Sequence, residues 1–122
     1  MIDPPERALV VFAHPDDEIG CAGTIAYWTA HGTEVTYVVC TNGNKGTEDP
    51  EISAESVAQT REQEQRDAAA VVGVKEVVFL DYPDGELEDT REFRGQVVRE
   101  IRRLRPQVVL THSPINRLRH NH

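Results

Sequence analysis

Short apolar runs and longer amphipathic stretches alternate along the chain. Ala8-Leu9-Val10-Val11-Phe12-Ala13 is an unbroken apolar run closed by a proline-containing turn, the pattern of a strand buried on both faces. From about Glu18 to His31, Ile19, Ala22, Ile25, Ala26 and Thr29 recur at helical spacing. Gly32 follows, where a left-handed residue closes a helix without strain. Glu34 to Cys40 is rich in β-branched residues and predicts a second strand. Thr41 to Ser53 is polar and glycine-bearing, a long loop of the kind that often carries function. Ser53 is placed to cap a helix from about Ala54 to Val72, with Gly73 closing it. Glu76 to Leu80 predicts a third strand, followed by the turn Tyr82-Pro83-Asp84-Gly85. Asp89-Thr90-Arg91-Glu92 has the form of a capping box with Asp89 as the cap. The helix behind it sets Phe93, Val97, Ile101 and Leu104 on one face. Arg102, Arg103 and Arg105 crowd its last turn, where positive charge suits the helix dipole, and read as a solvated helix end. Pro106 stops the helix, and Gln107 to Thr111 predicts a fourth strand.

Each apolar strand is thus followed by a helix, and right-handed crossovers turn that alternation into a parallel sheet covered on both faces. The expectation is an α/β three-layer sandwich in a single domain, 1–122. The 122 residues suffice for one small core and not for two. With 21 acids against 13 Lys and Arg, the formal net charge of −8 disfavours nucleic acid as a partner, because phosphate binding needs a basic face. No hydrophobic run approaches the ~18–20 residues of a membrane span. The start, Met1-Ile2-Asp3-Pro4-Pro5-Glu6, is acidic and broken by prolines, unlike a secretory signal, so a cytoplasmic protein is expected. Cys21 and Cys40 make no disulfide framework and read as small buried hydrophobes.

Ligands of open α/β sheets bind beyond the carboxyl ends of the strands, so the exit of the first strand is the place to look. No G-x-G-x-x-G occurs there, which leaves a dinucleotide cradle unsupported. The exit instead reads Ala13-His14-Pro15-Asp16-Asp17-Glu18. One imidazole and three carboxylates converging without a cation would carry a heavy repulsion and desolvation cost. His14 and Asp17 are three apart, so both can point at one divalent ion, and the donor types suit Zn²⁺ or a similar ion better than Ca²⁺ or Mg²⁺. Asp16, between them, would face the ion's open position as a proton acceptor. The alternative is that Asp16, Asp17 and Glu18 merely favour a helix N-terminus. No Ser sits in a G-x-S-x-G turn and neither Cys lies in a motif for nucleophilic attack.

These residues resemble the signature of the PIG-L/LmbE-like deacetylases, which remove acetyl groups from N-acetylglucosaminyl conjugates. The resemblance continues through Gly20-Cys21-Ala22-Gly23-Thr24, Thr41-Asn42-Gly43-Asn44-Lys45-Gly46, Thr60-Arg61-Glu62-Gln63-Glu64, Tyr82-Pro83-Asp84-Gly85-Glu86-Leu87 and Val109-Leu110-Thr111-His112-Ser113-Pro114. It implies a Rossmann-like fold, of which this chain would be the N-terminal part. It implies that His14 and Asp17 are ligands of a zinc ion, that Asp16 is the general base, and that Arg61 contacts substrate. Pairing of Arg61 with Glu64 or Glu62 stands as the structural alternative. Asp84 and Asn42 lie on strand-exit loops and are either sugar contacts or turn residues.

Family members carry a later H-x-D-H motif whose second His is the third metal ligand and whose first assists the oxyanion. The tail Arg119-His120-Asn121-His122 resembles the approach to it, with His122 as its first His. The third ligand would then fall three positions beyond His122, with His112 or His120 as substitutes from within the chain. The resemblance therefore implies metal-assisted hydrolysis of an amide on a small amino-sugar conjugate. The alternative is an inactive metal- or sugar-binding fragment. An open sheet edge would also invite a homo-oligomer.

Overall fold

The computed structural model describes residues 3–14, 20–42, 53–83 and 85–112. The elements run β1 (Arg7–Phe12), α1 (Ala22–Ala30), β2 (Glu34–Thr41), α2 (Ala54–Val71), β3 (Glu76–Tyr82), α3 (Arg91–Leu104) and β4 (Val108–Leu110). The four strands form one parallel sheet in the order β3-β2-β1-β4. Both inner strands carry the apolar runs, as strands without a solvent face must. Leu9, Val35, Tyr37, Val38 and Val39 are wholly buried.

Alternation divides the sheet's two faces. Ala8, Val10 and Phe12 of β1 join Val35, Tyr37 and Val39 of β2 in one cluster with Ile25 and Trp28 of α1 and Ala69 of α2. The Phe12 and Tyr37 rings meet edge to face, centroids 5.3 Å apart. Val77 and Phe79 of β3 pack against the same cluster. Glu76, one residue out of phase, instead receives Arg103 of α3 at 3.0 Å. α1 and α2 therefore cover one face of the sheet and α3 the other. The two covering helices also touch each other where Thr29 Oγ1 donates to the Val72 carbonyl at 2.5 Å. Gly73, at φ +81, permits this approach, since a Cβ there would lie 2.9 Å from Thr29 Oγ1.

Several boundaries differ from the sequence expectation. The regular part of α1 begins at Ala22 rather than Glu18. The cap of α3 is Thr90 and not Asp89: Thr90 Oγ1 accepts the Phe93 N–H at 3.1 Å, while Asp89 pairs with Arg94 at 2.6 Å. No residue of α3 is fully buried, and Ile101, expected on its inner face, is 37% exposed. Arg103 is more than a solvated helix end, since it bridges Glu76 and Glu100. β3 runs two residues further than expected because it bulges: Val39 faces Phe79 but Thr41 faces Tyr82, so Leu80 and Asp81 stand opposite Cys40 alone.

Candidate functional site

From β1 the chain steps to β2 and β3 on one side, then returns through α3 to place β4 on the other. Strand order thus reverses between β1 and β4, and a crevice opens there beyond the carboxyl ends of the strands. It is a cleft of about 240 Å³ whose lining includes Phe12, Gly20, Cys21, Leu110, Thr111 and His112.

The exit of β1 is tied to both neighbours. On the β2 side, the Thr41 N–H and the Thr41 hydroxyl both donate to the Ala13 carbonyl at 2.8 Å. On the β4 side, the Ala13 N–H donates to His112 Nε2 at 3.1 Å. His14 follows Ala13 directly, two residues past Phe12 of the crevice lining, and is half-buried. Asp16, Asp17 and Glu18 lie outside the described residues, as do Asp84, His120 and His122. Among the described residues no three His, Cys, Asp or Glu side chains gather in a metal-binding group. Of the expected metal set, the described structure locates His14.

Arg61 lies on the second turn of α2, which starts at the carboxyl edge of the sheet and runs back across it. Val57, Gln65 and Ala69 are buried along one stripe of this helix, and Arg61 falls on the same stripe at i+4 from Val57. Five residues on, the Arg66 guanidinium sits 4.8 Å from the centroid of the Phe79 ring near the end of β3. At 1.5 Å per residue, Arg61 stands roughly 7–8 Å further toward the strand exits. Its side chain is 36% exposed and Nη1 donates to Glu64 Oε2 at 3.0 Å. Asn42, at the exit of β2, donates its N–H to the Tyr82 carbonyl at 3.0 Å.

Asp81 was not legible in the sequence as anything but a strand-end residue. Its φ is +61, the left-handed region that Asp tolerates better than most side chains, and it sits in the β3 bulge. Loss of hydration holds its carboxyl above the ordinary carboxylate range; Glu62 adds to the shift and Arg66 opposes it. A raised native pKa means that the ionised carboxylate costs the native state stability at neutral pH. That cost disappears as the pH falls through the native pKa towards the unfolded one. Asp81→Asn keeps a residue suited to the left-handed turn and removes the charge. It is expected to stabilise the fold slightly at pH 7, the gain being small because the carboxylate is largely exposed. The gain should vanish at pH 3 in urea titrations, and a larger gain in acid than at pH 7 would contradict this assignment.

The cysteines separate. Cys40 is buried in β2, and burial pushes its thiol up to about 11, so thiolate is scarce at neutral pH. Cys21, half-buried, lines the cleft instead of joining the core fully. Maleimide at pH 7.5 should label Cys21 at least about tenfold faster than Cys40, whose labelling should await unfolding. Equal rates read by peptide mass spectrometry would show that β2 opens readily.

Comparison with known proteins gives this geometry a setting. The family described as PIG-L: GlcNAc-PI de-N-acetylase matches residues 9–122. Diacetylchitobiose deacetylase of Thermococcus kodakarensis is 41% identical over 110 residues, 89% of this chain and 41% of that protein. The structure of N,N'-diacetylchitobiose deacetylase from Pyrococcus horikoshii superposes with a TM-score of 0.84 at 37% identity, covering 86% of this chain and 40% of that one. GalB, a 4-carboxy-2-hydroxymuconate hydratase from Pseudomonas putida KT2440, superposes at 0.81 with 27% identity, covering 92% of this chain and 50% of that one. The chain thus spans about two fifths to one half the length of these proteins. The deacetylases and the hydratase share the fold, so the reaction must be argued from the site. A parallel α/β sheet with its crevice at the β1–β4 reversal, and a family match over 9–122, establish that the chain belongs to the PIG-L (GlcNAc-PI de-N-acetylase) family.

Proposed function

We propose that this chain supplies the metal-and-base part of a zinc-dependent N-deacetylase, which hydrolyses the acetyl (or another acyl) amide of an N-acetylglucosamine-type conjugate. The observation that carries the reading is the position of His14, at the β1 exit beside the reversal crevice, at the head of His14-Pro15-Asp16-Asp17. The similarity to diacetylchitobiose deacetylase supports amide hydrolysis over hydration. The donor types fit zinc, with an imidazole and a carboxylate three residues apart on one turn of chain. His14 and Asp17 would hold the ion, which when bound polarises the acetyl carbonyl and acidifies a water.

Asp16 would accept the proton of the attacking water and return it to the leaving amine. His122 donates a hydrogen bond to the developing oxyanion, a contribution typically worth ~10²–10³ in rate. Arg61 reaches the conjugate from α2. Its pair with Glu64 is partly exposed, and such pairs contribute only about 0–1 kcal/mol, so a substrate group can displace it. The substrate is a small amino-sugar conjugate and not nucleic acid, in keeping with the net charge of −8. No described helix is long and apolar enough to cross a membrane. We place the activity in the cytoplasm.

The test pairs elemental analysis for zinc with acetate release from N,N'-diacetylchitobiose, on the wild type and on His14→Ala, both in a version as long as the relatives. Wild-type protein is expected to bind one zinc per chain and His14→Ala to lose it. Zinc retained by His14→Ala at unchanged affinity would remove His14 from the ligand set. Stoichiometric zinc without acetate release, in a version as long as the relatives, would favour a metal- or sugar-binding role instead.

A further inference from the structure

The backbone ladder between β1 and β4 is short. It pairs Ala8 with Val108, Leu9 with Val109 and Val10 with Leu110, and ends there. On the other side of β1 the ladder with β2 continues to Phe12 opposite Val39, and Thr41 extends it by holding the Ala13 carbonyl. Beyond Val10, the tie between β1 and β4 passes to a side chain: His112 Nε2 accepts the Ala13 N–H at 3.1 Å, across 99 residues of sequence. A backbone amide is only a donor, so Nε2 must present its lone pair and the ring proton must sit on Nδ1 when the ring is neutral. Nε2 is therefore already engaged. His112 also lines the crevice.

We propose that His112 is a positioning residue: by accepting the Ala13 N–H through Nε2, it fixes the direction in which His14 leaves β1 and so tightens metal binding without touching the ion. This rests on the reading of His14 as a ligand. Ala13 is held through its carbonyl from β2 and through its N–H from β4. His112 thus holds the peptide before Ala13 and Thr41 the peptide after it, so the two planes that lead into His14 are held relative to one another. If His112 is removed, the carbonyl tie to Thr41 remains as a pivot, and the β1 exit gains freedom that metal binding must then take away. Losing a group that orients a metal ligand typically costs ~10–100-fold in affinity.

The experiment compares wild type, H112Q and H112F in a version as long as the family relatives. Glutamine keeps an acceptor at about the reach of Nε2, and phenylalanine keeps the ring but no acceptor. Zinc affinity is measured by chelator competition, protection of the Ala13 amide by hydrogen exchange, and the ring tautomer by long-range ¹H–¹⁵N correlation. H112F is expected to bind zinc ~10–100-fold more weakly and to lose Ala13 protection, and H112Q to stay within about threefold of wild type on zinc and keep protection. The wild-type ring should be unprotonated at Nε2, and its nitrogens should move far less than those of His14 when zinc is added. Equal zinc affinity in all three proteins overturns the proposal, as does a ring protonated at Nε2. A zinc-induced shift at His112 as large as that at His14 overturns it too, by making His112 a ligand. If H112F does not fold, the tautomer and H112Q still decide, since H112Q binding zinc tenfold more weakly while keeping Ala13 protection also overturns it. Wild type that binds no zinc at all overturns the deacetylase reading instead. Selective loss of Ala13 protection in H112F would then still support the tie at the β1 exit.

Discussion

Asp16→Asn is expected to keep its zinc and to lose about 10²–10⁴-fold in kcat for acetate release, measured in a version as long as the family relatives. The amide preserves the shape of the side chain and most of its hydrogen bonding, but it cannot take a proton from water at neutral pH. A general base works through its protonation state, so removing that property alone should leave binding intact and slow the chemical step. The loss should therefore fall on kcat, with KM changed little. A variant that lost zinc while keeping its activity per bound metal would exchange the roles of Asp16 and Asp17. A variant with undiminished kcat would mean that another group accepts the proton.

The largest effect on folding is expected at Trp28. Its ring is 2% exposed within the cluster that joins α1 to β1 and β2. Its carbonyl also receives the N–H groups of His31 and Thr33, both at 3.0 Å, which turn the chain from α1 into β2. Trp28→Ala leaves those backbone bonds in place and empties the space beside Ile25 and Tyr37. Truncation of a buried Trp costs about 3–5 kcal/mol, against a total of about 5–15 kcal/mol for a typical domain. Urea unfolding followed by circular dichroism should show the midpoint falling by more than about 1 M, at slopes of about 1–3 kcal/mol/M. A loss under about 1.5 kcal/mol would mean that α1 closes into the gap, and that the cluster is less tightly packed than its burial indicates.

What could be read from sequence followed how local each feature is. The runs Ala8–Ala13 and Glu34–Cys40 announced β1 and β2 because strands covered on both faces have no polar side to confuse the pattern. Thr90 displaced Asp89 as the cap because both side chains are competent, and the choice turned on where Arg94 could find a partner. Periodicity placed Ile101 with Phe93 and Leu104, but it names a face and says nothing of how completely that face is covered. The bulge that extends β3 depends on its pairing with β2, which no window of β3 contains. At the site, the position of His14 followed from the strand-exit rule. The engagement of His112 did not, because it exists only once the sheet order sets β4 beside β1. From sequence His112 is open as a substitute ligand; in the structure its Nε2 accepts a backbone N–H, a contact no window of sequence contains. The ion pair of Arg61 with Glu64 was one of two readings open beforehand, and a pair this exposed leaves substrate contact open to test.

The order β3-β2-β1-β4 also sets a sequence of events during folding. β1 meets β2 across a short crossover, whereas β4 reaches β1 across a span of 100 residues. The entropy of closing the longer loop exceeds that of the shorter by about 1 kcal/mol, and the short three-pair ladder with the ties of Gln107 and His112 must offset it. β2 and β3 should therefore assemble on β1 first, with β4 docking in the rate-limiting step and gaining exchange protection last. On a ribosome the β1 exit would emerge early, yet wait for the 99 residues that separate Ala13 from His112 before it acquired its second wall. A nascent chain would thus carry the His14 segment with one wall of its crevice missing until β4 had been made and docked.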